Sequence, residues 1–487
     1  MSESAYEPSP QRWIALIVCC SAMFMTLLDV SVTNVALPSI GRATGAGPSG
    51  LQWVISGYTL AFGMVPVLGG RLGDDHGRRR MFQVGVVGFV ATSAMSGLAP
   101  SVGLLIAARV LQGVFGGLIN PQVSGLVQNL FRGAERGRAF GVLGTTVGVG
   151  TALGPIVGGT LIALGGPDWG WRLVFFVNVP IGVLVIALAR RLLPADQPSG
   201  KHRLDVLGAL NLGAATFCVL FAAVQYDAVH DARLAWLVLP AIVLLVVFWF
   251  RERRLTEQRA DPLVDMRLFK QRSYTPGILL AITFFPAQAG LPLVMALYYQ
   301  DGLGYSALQS ALGVTAFAVG SAVGAPTAGR FVTRLGRPLV VGAATAFGLG
   351  AAALALVAWH APHTHASLAL ALPLFVMGCA SGCLITPNQT LTLADVDPVV
   401  GSTAGGVLQT AQRIGLAIGQ GVIGAVFFAA VGGRSGPTAY GHGVAAAVVA
   451  ALCFVALSIV IGAGDLIRNG RRAPRRRSDV AHVTRQP

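Results

Sequence analysis

The stretch GRLGDDHGRRR at residues 70–80 returns as GRFVTRLGRP at residues 329–338. Both copies are short, basic and rich in glycine, and both lie between long apolar runs. A polar segment that is repeated so far along the chain indicates that one structural unit occurs twice. Aligned, the copies pair Gly70 with Gly329, Arg71 with Arg330, Gly77 with Gly336 and Arg78 with Arg337.

The composition around these copies excludes a soluble protein. Of the 487 residues, 54% are hydrophobic and 11% are charged, whereas soluble domains carry about 25% charged residues. The net charge of +15 does not indicate a nucleic-acid partner, because the basic residues lie in short loops between apolar runs. What remains is a membrane protein that crosses the bilayer many times.

Fourteen apolar runs are long enough to cross a bilayer core of roughly 30 Å as helices. Lipid cannot satisfy free backbone groups, so helices are expected for all of them. The first copy of the repeat follows the second span and the other copy follows the tenth. The predicted spans are 13–37, 51–70, 81–98, 102–123, 138–163, 172–192, 206–226, 234–250, 274–298, 308–328, 338–359, 367–387, 402–431 and 441–466.

This offset of eight spans predicts an all-α membrane protein that is built from two pseudo-symmetric halves. Residues 1–195 are expected to form an N-terminal six-helix bundle and residues 261–466 a C-terminal one. Residues 196–260 would then supply two inserted helices, and residues 467–487 a basic cytoplasmic tail. Parallel repeats of this kind are typical of secondary transporters, in which the substrate site lies between the halves.

The basic residues predict the orientation of the chain. With the N-terminus in the cytoplasm, 29 of the 35 Lys and Arg residues fall on the cytoplasmic side and four on the other side. The last two lie inside spans. Such an asymmetry over short loops is a strong positive-inside signal, so both termini are expected in the cytoplasm.

Only one of the twenty acidic residues, Asp29, lies well inside a predicted span. A carboxylate is costly there, so its side chain should face protein or a water-filled cavity. Burial favours its neutral form and a nearby cation its ionised form. Asp29 is therefore a candidate proton carrier, and a carboxylate in a permanent ion pair is the alternative. Arg109, inside the fourth span, is the candidate cation beside it, or a purely structural residue.

Further polar side chains inside the spans are candidates for the lining of a substrate cavity. Gln409 and Arg413 share one face of the thirteenth span, and a structural hydrogen-bond network would explain the same stripe. The other candidates are Asn34, Gln112, Asn120, Gln288 and Asn388.

The fifth span carries GTALGPIVGG at residues 150–159. Gly150, Gly154 and Gly158 recur every four residues, which allows close approach of another helix. Pro155 lacks a backbone donor and bends the helix. This combination predicts a bent helix that packs tightly and can still rock, and ordinary small-residue packing is the alternative.

Metal, cofactor and enzyme chemistry are not expected. His360, His363 and His365 lie in an outer loop that has no carboxylate or cysteine beside them, so no metal site is predicted. No Walker lysine motif occurs, which argues against transport driven by ATP, and no catalytic triad or metal-hydrolase spacing is present.

Four of these segments together resemble the motifs of the major facilitator superfamily, and within it those of the 14-helix drug:proton antiporters. GRLGDDHGRRR is similar to the gating motif that follows the second span, although Asp75 stands where a basic residue is usual. The first-span, fourth-span and fifth-span motifs of the family are also present in order. The matching residues are Asp74, Gly77 and Arg78; Asp29 and Asn34; Arg109 and Gln112; and Gly154, Pro155, Gly158 and Gly159.

The resemblance implies that small hydrophobic or cationic drugs and antibiotics leave a bacterium across its cytoplasmic membrane in exchange for protons. The cavity would open alternately to the two sides as the halves rock. Asp29 and Arg109 would couple the proton, and Asp74 and Arg78 would latch the cytoplasmic side. The expected partners of this monomer are a small-molecule substrate, protons and lipid. Dedicated export of one endogenous metabolite, and a membrane receptor that does not transport, stay open as alternatives.

Overall fold

The computed structural model describes residues 10–195, 204–229, 232–258, 260–360 and 366–470. Regular structure in these ranges is helical. The helices are α1 Arg12–Thr44, α2 Pro48–Met64, α3 Pro66–His76, α4 Arg78–Leu98, α5 Val102–Leu130, α6 Gly133–Phe176, α7 Asn178–Leu192, α8 Val206–Val229, α9 Val238–Glu257, α10 Tyr274–Leu297, α11 Ala307–Leu335, α12 Arg337–His360, α13 Ala366–Thr392, α14 Gly401–Val431 and α15 Pro437–Gly470.

The number of spans lies close to the fourteen that the sequence predicts. In the described ranges, twelve helical segments are long and apolar enough to cross a membrane, and the bent pair α2 and α3 makes thirteen. The predicted eighth span coincides with α9, but the apolar run of α9 ends at Phe250 and is followed at once by Arg251, Glu252 and Arg253. A fourteenth span is therefore not confirmed.

Two breaks interrupt the helical segments, one inside a predicted span and one between two predicted spans. The second predicted span is interrupted between Met64 and Pro66, where α2 and α3 meet at 48°. Pro66 has no backbone N–H, so the helix cannot continue through it without losing a hydrogen bond. In α6, Gly166 has φ +68°, a conformation that favours glycine, and it separates the fifth span from the sixth.

Helix pairing repeats between the two halves. In the first half, α1 packs on α6 and α7, α5 packs on α2 and α4, and α4 packs on α7. In the second half, α10 packs on α14 and α15, α13 packs on α11 and α12, and α12 packs on α15. The same partners therefore meet in the same order, as expected of two copies of one unit.

The halves meet along two seams, which are related by the repeat. At the first seam, α3 packs on α14, and at the second, α11 packs on α6. The inserted helix α8 packs on both α2 and α14, beside the first seam, and α9 packs on α8. Only the first seam therefore has an inserted helix beside it within the described ranges.

The outer surface of the bundle is apolar. Large side chains such as Leu164, Leu349 and Leu368 are about 70% exposed or more. A surface of this kind is stable in lipid and not in water. This exposure agrees with a chain that crosses a membrane many times.

Candidate functional site

A cavity of about 270 Å³ lies between the two halves. Its walls come from α1, α5 and α6 of the first half and from α10, α13 and α14 of the second. Much of the lining is apolar, for example Leu143 and Phe285, and a minority of side chains is polar. This composition is typical of a small-molecule site. The polar lining residues are Asn120, Ser124, Gln288, Thr386, Gln389, Gln409, Gln412 and Arg413.

Asp29 lies outside this cavity, in a completely buried cluster. Its carboxylate accepts hydrogen bonds from Arg109 Nη1 at 2.5 Å, Gln112 Nε2 at 2.9 Å and Asn178 Nδ2 at 2.8 Å. Neither Asp29 nor Arg109 has more than 1% of its side chain exposed. Helices α1, α5 and α7 are thus joined through one charge pair. That Asp29 carries a proton stays a prediction.

Arg109 is enclosed on its other sides as well. Its Nη1 also donates to Gln112 Oε1 at 2.8 Å, and its Nε donates to the carbonyl oxygen of Val54 at 3.2 Å. The guanidinium carbon lies 4.3 Å from the centre of the Tyr58 ring. A charge that is buried this deeply is stable only with such compensation.

Two aromatic rings join the buried pair to the cavity. The Tyr58 ring, which lies beside Arg109, stacks on Phe62 with 5.7 Å between ring centres. The guanidinium of Arg413, in the cavity lining, lies 4.5 Å from the centre of the Phe62 ring. The two Arg side chains therefore contact the same pair of rings, one from the buried cluster and one from the cavity.

Below the cavity, at the end that carries the repeated loops, Asp74 closes the first seam. Its carboxylate accepts hydrogen bonds from the backbone nitrogens of Ser402 at 3.1 Å and Thr403 at 2.8 Å, and from the Thr403 hydroxyl at 2.8 Å. These groups lie in the first turn of α14, where backbone N–H groups are unpaired and the helix dipole favours an anion. Asp74 therefore caps a helix of the opposite half.

Arg78 completes this contact, which we name the Asp74 latch and define by Asp74, Arg78 and residues 398–403. Arg78 forms an ion pair with Asp74 at 2.7 Å and donates to the backbone oxygens of Pro398 and, at 3.1 Å, Val399. Gly77, which connects α3 to α4, has φ +103°. A side chain at Gly77 would be strained in that conformation.

The predicted glycine face of α6 lies against α1. A Cβ atom at Gly154 would overlap Ser31, one at Gly150 would lie 3.2 Å from Leu27 Cβ, and one at Gly158 would lie 3.3 Å from Val32 Cα. Gly159 has open space beside it and does not belong to this face.

Pro155 leaves a carbonyl of α6 without its helical donor. A nitrogen at position 155 would normally bond the carbonyl of Thr151, four residues earlier. The Ser31 hydroxyl donates to that oxygen at 3.3 Å instead. The turn of α6 before Pro155 is thus bonded to α1 two residues from Asp29.

The comparisons with known proteins agree with this geometry. The profile of the Major Facilitator Superfamily matches residues 19–420. This chain belongs to the Major Facilitator Superfamily. It is 37% identical over 432 residues to the probable actinorhodin transporter of Streptomyces coelicolor, which covers 88% of this chain and 74% of that protein. It is 35% identical to the puromycin resistance protein pur8 of Streptomyces alboniger, with 87% and 84% covered.

A solved structure of the family shows the same fold. The proton:xylose symporter XylE superposes on 92% of this chain and 95% of its own with a TM-score of 0.64, at 16% sequence identity. The prediction that this chain is a transporter of the superfamily and not an enzyme is therefore confirmed. It is a membrane protein with many spans.

The major facilitator fold places the remaining candidates in two groups. Asn120, Gln288, Gln409 and Arg413 line the cavity between the halves. Asn34, Gln112 and Asn388 lie elsewhere. Asn34 is exposed on α1, and Gln112 belongs to the Asp29 cluster. Asn388 is buried, accepts from Arg337 at 2.8 Å and donates to the Gly277 carbonyl at 2.9 Å, so its polar atoms are used inside the second half.

The sequence analysis did not predict several residues of this site, four of which make the contacts described above. Asn178 bonds Asp29, Tyr58 and Phe62 carry the ring contacts, and Gln389 lines the cavity. A lone Asn inside an apolar run is a signal that could have identified Asn178, because a buried amide needs partners. Nothing in the spacing of the two rings indicates that both would contact an Arg.

No metal site is present in the described part of the chain, where no group of three or more His, Cys, Asp or Glu side chains could hold an ion. His360 ends α12. His363 and His365 lie outside the described residues, so the prediction about that loop stays a prediction.

Proposed function

We propose that this protein exports small, largely hydrophobic antibiotics or drugs from a bacterial cell in exchange for protons, as a monomer with both termini in the cytoplasm. The observation that carries the proposal is the cavity between the halves, which the Asp74 latch closes at one end. The two antibiotic-related relatives support the substrate class.

The substrate path follows from the two seams. With the latch formed, the cavity is closed towards the basic end, which we assign to the cytoplasm from the distribution of Arg and Lys. Breaking the hydrogen bonds of Asp74 to α14 would let the halves rock and open the cavity to that side. The latch therefore holds one of the two states that alternating access requires.

The proton path centres on Asp29. Protonation of Asp29 would remove the counter-charge of Arg109 and leave a buried cation without its partner, which is costly. We infer that the pair separates and α1 moves relative to α5 when a proton arrives. A membrane potential of 100 mV supplies about 2.3 kcal/mol per proton, enough for roughly a 40-fold gradient of a neutral substrate.

The rings of Tyr58 and Phe62 support coupling between substrate and proton. A substrate that draws Arg413 away from Phe62 changes the surroundings of the ring stack on which Arg109 also rests. The two binding events would thus influence each other through a contiguous set of contacts, which is what an exchange of substrate for proton needs.

The test of export is drug accumulation in a bacterial host that lacks its major efflux pumps. Cells that express the protein should hold less of at least one antibiotic, and an uncoupler should restore the accumulation. Unchanged accumulation of every compound in a broad panel would contradict export and would favour a receptor role.

The test of proton coupling is Asp29→Asn, with purified protein in liposomes and a pH-sensitive dye. The amide keeps the size of the side chain and cannot carry a proton or pair with Arg109. Substrate-dependent proton flux and uphill transport should be lost, while substrate binding persists. Uphill transport at the wild-type rate would refute Asp29 as the proton carrier.

Dedicated export of one antibiotic is the second candidate. The similarity to a transporter and a resistance protein that are each named after a single antibiotic favours it. The same accumulation panel separates the candidates, since a multidrug exporter lowers the accumulation of several unrelated compounds and a dedicated exporter lowers that of one chemical class.

A further inference from the structure

Arg413 is the one charged side chain that lines the central cavity in the described part of the chain. The lining contains no Asp, Glu or Lys. Arg413 has no acidic partner and no hydrogen bond there, and its guanidinium contacts the Phe62 ring. The neighbouring amides of Gln288, Gln389 and Gln412 also make no hydrogen bond within the described chain.

Arg413 differs in this respect from the buried Arg residues of the described structure. Arg78, Arg109 and Arg337 are buried, and each forms an ion pair with an Asp of 2.5–2.7 Å. A guanidinium inside a membrane protein without an anion is costly, and a ring contact offsets only part of that cost. The cavity lining therefore provides no counter-ion for Arg413, and an anionic ligand can be that counter-ion.

We propose that Arg413 binds an anionic group of the substrate, and that this exporter prefers acidic aromatic compounds to cationic ones. The inference rests on the proposed export function and names its substrate class. A guanidinium presents its donors as a planar fork that matches a carboxylate or an ionised phenol. The amides around it can donate to further substrate oxygens, and the apolar walls such as Phe285 and Leu143 suit a ring system.

The same arrangement disfavours cations, which the family resemblance also implies as substrates. A cationic drug in this cavity would meet a fixed positive charge in a medium of low polarity, and like charges repel strongly there. A carboxylate in the lining would stabilise the positive charge of such a drug, and the described lining has none. The buried Asp29 is already bound by three side chains.

Two dyes with the same tricyclic skeleton and opposite charge test the proposal: fluorescein, an anion at neutral pH, and rhodamine 123, a cation. Binding of each dye to the detergent-purified protein is measured by fluorescence anisotropy. We expect fluorescein to bind at least tenfold more tightly. Tighter binding of rhodamine 123, or binding of neither dye, would overturn the anion preference.

Substitutions of Arg413 separate recognition from structure. Arg413→Gln should weaken fluorescein binding at least tenfold and leave rhodamine 123 unchanged or improved, and Arg413→Lys should retain part of the fluorescein affinity. The matched control is Arg434→Gln, the same change at an exposed arginine beyond the end of α14, which should change the binding of both dyes by less than threefold. An equal loss of both dyes in Arg413→Gln would assign the residue a structural role and overturn the proposal.

These outcomes are distinct from a failure of the proposed function. If expression lowers antibiotic accumulation while the dyes show no anion preference, export stands and the assignment of Arg413 falls. If expression changes the accumulation of no antibiotic, export itself is refuted, whichever dye the purified protein binds.

Discussion

The loop at Gly70 contacts the opposite half through charged side chains, whereas its copy at Gly329 contacts the opposite half through close packing of glycine backbone. Gly70 packs on Ser402 and Thr403 of α14, and a Cβ atom there would overlap them. Gly329 packs in the same way on Gly137 of α6. The Asp74 latch exists only beside Gly70, because the residue that aligns with Asp74 in the copy is Thr333.

The two aligned arginines differ as well. Arg78 bonds backbone oxygens of the opposite half. Arg337 pairs with Asp465 at 2.7 Å and donates to Asn388 and the Ser273 carbonyl, all in its own half. The repeat has thus kept the glycine that lets two helices approach, but the two arginines differ in their contacts: Arg78 reaches the opposite half, and Arg337 stays within its own half.

The largest expected difference between the two copies is at the Asp74 position. Asp74→Ala removes the cap of α14 and the partner of Arg78, so efflux should fall at least tenfold, which corresponds to about 1.4 kcal/mol or more. The matched change in the copy, Thr333→Ala, alters an exposed side chain and should change efflux less than twofold. Equal effects in drug-accumulation assays would remove the functional asymmetry between the seams.

The paired arginines should separate activity from stability. Arg337→Ala breaks the buried ion pair with Asp465, which costs roughly 3–5 kcal/mol, and should lower the thermal midpoint of the purified protein by about 5 °C. Arg78→Ala should lower the midpoint by less than half as much, since Asp74 still caps α14, and should abolish efflux. The opposite ranking would show that Arg78 is mainly a residue of the fold.

A smaller effect is expected at the polar contact of the second seam. Arg136 donates to the Leu393 carbonyl at 3.3 Å, at the end of α13 in the opposite half. Arg136→Ala should reduce efflux about twofold to threefold, because glycine packing between α6 and α11 persists. A loss as large as that of Asp74→Ala would make the second seam an equal latch.

The smallest expected effect concerns the inserted helices α8 and α9, of which α8 lies beside the first seam. Glu252 follows the apolar run of α9 and is fully buried. Burial, with Asp205 beside it, raises the pKa of Glu252 to about 7. Burial alone would raise the pKa of Asp205 as well, but hydrogen bonds from Arg251 and Gly208 outweigh burial and lower the pKa of Asp205 overall.

The sign of the pH dependence follows from that raised pKa. Between about pH 4.5 and 7, folded Glu252 holds a proton that the unfolded chain has released, so stability should fall as pH rises through this window and level off above it. The thermal midpoint of the wild type should be about 2 °C lower at pH 7.5 than at pH 5.5. Glu252→Gln should flatten this dependence, and an unchanged slope would assign it to other groups.

The two seams show which features of the fold can be predicted from the sequence and which cannot. The repeat predicts two equivalent halves, and the resemblance of GRLGDDHGRRR to the gating motif of the family predicts that Asp74 and Arg78 act together on the cytoplasmic side. Aligned residues with different partners could not be predicted, because the partner of Arg337 lies 128 residues further along, at Asp465. Local spacing carries no information about such contacts.

The buried charges show the same limit. The position of Asp29 in an apolar run was enough to identify it, and Arg109 was predicted as its companion. That the pair is sealed away from the cavity depends on Asn178 and on the packing of three helices. Conversely, Asn388 is a polar residue inside an apolar span, as expected of a cavity residue, but in the fold its side chain bonds Arg337.

The contact of both guanidiniums with one ring stack has a consequence for the cell. Phe62 has no titratable group and is not among the residues that line the cavity, so under the proposed exchange a substitution there would leave both binding events intact while weakening the link between them. Protons would then enter without export of a substrate molecule. Such a variant would drain the energy of the membrane and slow growth in the absence of any drug, a phenotype that resistance screens alone would not detect.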